Sequence, residues 1–137
     1  MEMKCVMVID SELPTGLIAN TAAVLALTLG KKMEETIGPT VIDGSGNSHE
    51  GITTIPIPIL KGDSLKIKEL RDKGFNEEFS DLLVVDFSHI AQTTNHYEEY
   101  TQKIAAFTAD DLDYLGLALY GDKKKVNKLT GSLGLLR

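Results

Sequence analysis

The sequence predicts an α/β fold: a mixed sheet of about four strands with helices on both faces. Three observations carry this. Residues 4–9, 82–85 and 114–120 are short, uninterrupted apolar runs, the pattern of strands covered above and below. Segments of helical periodicity separate them. No internal repeat, low-complexity tract or linker divides the 137 residues, so residues 1–137 are read as one domain, large enough to bury a core without disulfides or metal. An apolar content of 42% with 25% charged residues fits a globular chain.

The first strand, residues 4–9, contains the single cysteine, Cys5, which excludes an intramolecular disulfide and reads as a small buried hydrophobe. The N-terminus lacks the charged lead and cleavage site of a secretory signal, so a cytoplasmic location is expected. A turn at Pro14, Thr15 and Gly16 then opens a helix in which, from 17 to 29, only Asn20, Thr21 and Thr28 are polar. Thirteen residues fall short of the roughly 20 that span a bilayer, so no membrane role is expected. A helix apolar around its circumference has to be covered on several sides. Ala19, Ala22, Ala23 and Ala26 permit close approach to the sheet, and the opposite side is expected to meet a second subunit in a homodimer.

Gly44 to Asn47 is a dense turn signal, read as a small hairpin or irregular excursion, with His49 a solvated loop residue. Residues 55–60 form a strand candidate in which Pro56 and Pro58 both remove donors from the same side, which predicts a sheet edge. Asp63 or Ser64 caps a helix that Gly74 stops. Tyr97, Tyr100, Ile104 and Phe107 recur at spacings of three and four, which predicts a helix over 95–107.

The opening and closing segments together resemble the type II peptidyl-tRNA hydrolases. Gly16, Ala19 and Ala23 fit that family's alanine-rich first helix, and Lys128-Leu129-Thr130-Gly131-Ser132-Leu133 fits its closing pattern. The whole chain is similar to a group of short bacterial proteins, a domain family of unknown function that shares the hydrolase fold. The resemblance implies a peptidyl-tRNA hydrolase II-like architecture. Three positions depart from the hydrolases: Leu17 stands at a lysine site, Thr21 at a glutamine and Val24 at a histidine. A leucine cannot donate to a phosphate or stabilise developing negative charge, which argues against cleavage by the usual lysine-dependent route.

Charge points the same way. Asp and Glu number 20 against 14 Lys and Arg, for a net charge of -6, so the long-range field repels polyanions. Tryptophan is absent, and Lys123, Lys124, Lys125 and Lys128 read as a solvated face. Nucleic acid is therefore not the expected partner, with tRNA kept as the alternative.

In open α/β sheets, ligands bind beyond the carboxyl ends of parallel strands. If the strands at 4–9 and 82–85 are parallel, two segments meet there. One is Asp10-Ser11 with the helix entrance at Thr15 and Gly16; the other is Asp86-Phe87-Ser88-His89. The functional reading is a small polar ligand held by Thr15, Gly16, Asn20, Thr21 and Ser88, with His89 as general acid or base beside Asp10 or Asp86. The structural reading has Asn20 satisfying backbone groups, Asp10 capping the helix and His89 serving as a turn residue. No metal-ligand spacing, nucleophile elbow or phosphate loop is present, so no metal or cofactor is expected. Two functions stand beside the small-ligand reading: a peptidyl- or aminoacyl-tRNA hydrolase, and a non-enzymatic scaffold for a partner.

Overall fold

The computed structural model describes residues 2–137. Four strands make the main sheet: β1 (Met3–Asp10), β4 (Ile59–Gly62), β5 (Leu83–Ser88) and β6 (Tyr114–Asp122), in the order β4-β1-β6-β5. β1 is parallel to β4 and antiparallel to β6, which is itself antiparallel to β5. A mixed sheet with β1 inside it explains why Cys5 to Ile9 are all buried: each alternate residue meets a different apolar layer. Cys5, Met7 and Ile9 face α1 (Thr15–Gly30), whereas Val6 and Val8 face α2 (Ser64–Gly74) and α5 (Lys123–Thr130). The small hairpin β2 (Val41–Ile42) and β3 (Ser48–His49) is an excursion within the β1 to β4 crossover. There His49 Nε2 pairs with Asp43 at 2.7 Å.

α1 corrects one expectation. Thr21, Leu25 and Leu29 are buried against the sheet, but Ala19, Asn20, Ala23, Val24 and Leu27 are exposed, Leu27 at 83%. The helix covers one face of the sheet, where it packs on β1, β5 and β6. Ala22 and Ala26 do pack on the sheet layer, and close approach is also opened from the sheet side: a Cβ at Gly116 of β6 would sit 2.5 Å from the Thr21 methyl, so glycine there admits the helix.

The edge strand is also displaced. Pairing starts at Ile59, and residues 55–58 precede the strand; Pro58 contributes only its carbonyl, which accepts from Met7 N at 3.0 Å. β4 lies at the sheet's end as expected, but not for the expected reason: Pro58 turns its polar side to β1, so its missing donor ends the pairing with β1, while the outer side is closed by the C-terminal tail. Lys61 N donates to Gly134 O at 2.8 Å and Leu136 N to Ile59 O at 2.9 Å.

The helix at 63–74 agrees with its prediction, including the Asp63 carboxylate that accepts from Lys66 N. The helix expected at 95–107 is shorter, α4 (Tyr97–Ile104), preceded by a one-turn α3 (His89–Gln92). α4 buries no residue fully, and past Ile104 its bonds tighten to the i, i+3 type: Ala106 N to Lys103 O, then Phe107 N to Ile104 O.

Candidate functional site

β1 and β5 run in the same direction but are not neighbours; β6 stands between them. Two strand spacings, roughly 10 Å, therefore separate Asp10 from the end of β5. Asp10, Asp86 and His89 each have a partner of their own there. Asp10 Oδ1 accepts from Glu12 N at 2.9 Å and tightens the turn after β1. Asp86 points toward α2, where its Oδ2 accepts from Arg71 Nε at 3.0 Å. Partial burial pulls the Arg71 pKa down, but the Asp86 hydrogen bond and the surrounding negative charge more than offset this and leave it raised.

His89 opens α3 at the end of β5 and meets the segment before β6. Its Nδ1 accepts from Asp113 N at 3.1 Å, its own backbone N donates to Asp113 O, and its ring meets Phe107 edge-on. With Nδ1 occupied as an acceptor, the neutral ring carries its proton on Nε2. Ser88 follows a bulge in which Phe87 pairs with Gly116 but Ser88 with Tyr114, leaving Leu115 as the extra residue. The Ser88 hydroxyl is buried without a hydrogen-bond partner.

The amide and hydroxyl in the first turns of α1 diverge. Thr21 is fully buried and its Oγ1 donates to Leu17 O at 2.7 Å, while Asn20, Thr15 and Gly16 face solvent. Asn20 is exposed and so does not serve to satisfy backbone groups of the core. The eight predicted site residues are thus spread over the turn after β1, the α2 side of β5, the junction of β5 with α3, and the buried and solvent-facing sides of α1.

The carboxyl-end crevice exists at a different pair of strands. β1 and β4 are parallel neighbours, with Asp10 beside Gly62. α1 leaves β1 to one face and α2 leaves β4 to the other, so the chain diverges at this point. Between the two ends lies an open crevice of about 420 Å³, lined by Ser11, Glu12, Lys61, Gly62, Asp63, Lys66 and tail residues 132–134. Gly62 is required there, because a Cβ would sit 2.6 Å from the Val8 side chain. Ser11 N closes the floor by donating to Gly62 O at 3.0 Å. Lys66 reaches Glu69 at 3.6 Å across partly solvated surface, a weak tie that leaves it able to turn toward the crevice.

Ser11 is the one residue of the crevice that the sequence had placed near a site. Lys61, Lys66 and the tail were missed, although a signal existed. A strand, a helix and the next strand form a βαβ unit, whose strands are parallel and commonly adjacent, and that rule selects β1 with β4. Among the described residues, no group of three or more His, Cys, Asp or Glu could hold a metal, and no helix is long and apolar enough to cross a membrane.

A family model described as a protein of unknown function, DUF2000, matches residues 3–137. Among solved structures, the protein of unknown function Atu0240 from Agrobacterium tumefaciens strain C58 is similar, with a TM-score of 0.87 over 98% of each chain and 22% identity. At that identity the likeness speaks for the fold alone. No match was found among curated proteins.

Proposed function

The chain belongs to DUF2000, a family of proteins of unknown function, and we propose that it binds a small polar molecule carrying an anionic group, held where β1 and β4 end. One observation carries the reading: two adjacent parallel strands send their helices to opposite faces and leave a crevice between their carboxyl ends. Lys61 and Lys66 flank it, and the positive end of α2 opens onto it, which suits a carboxylate or phosphate oxygen. Glu12 and Asp63 balance the lysines, so the preferred guest carries hydrogen-bond donors as well. No histidine or cysteine lines the crevice, and the reading proposed for it is one of binding.

The likeness to type II peptidyl-tRNA hydrolases joins the proposal at one point. Its closing motif, Lys128 to Leu133, ends in Ser132 and Leu133, two residues of the crevice wall. Cleavage of peptidyl-tRNA does not follow, because Leu17 supplies no cation. We also propose that the part of the exposed α1 stripe formed by Ala19, Ala23 and Leu27 is covered by a second copy of the chain, since the alanines allow close approach and Leu27 offers apolar area.

A thermal-shift screen of polar metabolites tests the binding reading. A ligand that raises the Tm of the wild type should lose its effect in Lys66→Glu and keep it in His89→Ala. A screen without shifts, or a ligand lost with His89 and retained by Lys66→Glu, overturns the assignment.

A further inference from the structure

We propose that a groove along the outer edge of β5, between α1 and α4, is a binding site for an organic ammonium group. β5 and β4 are the two ends of the sheet, so this site is independent of the crevice beside β4. The groove encloses about 370 Å³, and Val85, Phe87 and Ala91 give it apolar surface. That volume lies in the roughly 300–1,000 Å³ range of small-molecule sites.

Two tyrosines line one wall. Tyr97, 80% exposed, and Tyr100, half-buried, have ring centroids 5.5 Å apart and planes at 69°. Rings that meet near a right angle form a corner, and aromatic faces attract a weakly hydrated cation by their quadrupole. Tyr97 is otherwise an aromatic ring left in water.

The counter-charge is Asp86, which lines the same groove. One of its oxygens takes Arg71 Nε; the other has no protein donor among the described residues. Arg71 is shared with Asp72, which lies 3.5 Å from its Nη1, so the three groups carry one net negative charge. The Tyr100 hydroxyl has its pKa raised by burial and then by the Asp86 charge, which sets the ring within the field of that carboxylate. No lysine or arginine lines the groove to fill the place. A bare metal ion would find too few ligands, since no cluster of three metal-binding side chains exists among the described residues. A cation with an apolar shell suits both the rings and the aliphatic surface.

NMR titration of the full chain with choline, and with its neutral isostere 3,3-dimethylbutan-1-ol at matched ionic strength, tests this. Choline is expected to produce saturable shifts at residues 94–97 and in the rings of Tyr97 and Tyr100, with the isostere binding several-fold more weakly. Tyr97→Ala, at an exposed position that leaves the fold intact, is expected to weaken choline about two- to fivefold, and Tyr97→Phe to preserve it. Equal response to the isostere, choline shifts outside the groove, no saturable shift, or unchanged affinity in Tyr97→Ala would each refute the site.

Discussion

Cys5 lies at 0% exposure in β1, and burial raises its thiol pKa from 9.0 to about 11. Above pH 9 the unfolded chain ionises this thiol while the fold keeps it protonated, so the native state binds more protons and stability falls as pH rises. The loss runs from pH 9 to about 11 and then levels off. Two pKa units correspond to about 3 kcal/mol. Urea denaturation across that range should therefore show a decline that Cys5→Ala makes shallower. Tyr100 and Tyr114, whose pKa values burial also raises, leave a residual slope from about pH 10 upward. An unchanged slope in the variant would mean that the thiol is not desolvated as its position implies. The same scale explains why the polar residues singled out from sequence did not converge. Asp10, Asp86, His89 and Thr21 each found a hydrogen-bond partner that is local or on a neighbouring element, and composition does not reveal which partner wins.

Among the elements, β4 depends most on what lies beside it. It is only four residues long, its prolines stop pairing before Ile59, and the tail supplies the hydrogen bonds on its outer side. Leu133 of the same tail packs against the core on the α2 face. Removing residues 132–137 should lower stability by about 1–3 kcal/mol and speed hydrogen exchange at the Lys61 amide, whose acceptor Gly134 is lost. Slow exchange at Lys61 in the truncated chain would count against the pairing. The truncation also removes one wall of the β1/β4 crevice, so it should abolish ligand-dependent thermal shifts along with the edge protection. α1 illustrates the opposite case. Its uniform apolarity gives no indication of which stripe faces the sheet; Gly116 decides that by admitting Thr21, and the remaining stripe is turned outward.

For the whole molecule, the net charge of -6 is distributed without a basic strip at the C-terminus. Lys123 pairs with Glu2, Lys125 with Asp81, and Lys128 with Glu78. Three of the four lysines near the C-terminus thus each sit beside a carboxylate. The exposed face of α1 makes a prediction about assembly: sedimentation velocity at micromolar concentration should find a dimer, and Leu27→Glu should shift it to monomer, because a carboxylate would be buried at the contact. A monomeric wild type would refute the contact. The α/β class, the three core strands and the helix at 63–74 were legible in the sequence, whereas the proline-bearing segment reached the sheet's end for a reason other than the missing outward donors expected of it. The legible features rest on local pattern: apolar runs, helical spacing and caps act within a few residues. Strand order was not legible, and it decides the site. It placed β6 between β1 and β5, set β4 beside β1, brought the C-terminal tail over the edge and left one side of α1 bare. Those outcomes depend on which distant segments pair, and pairing is a competition among long-range contacts that no single stretch of sequence encodes by itself.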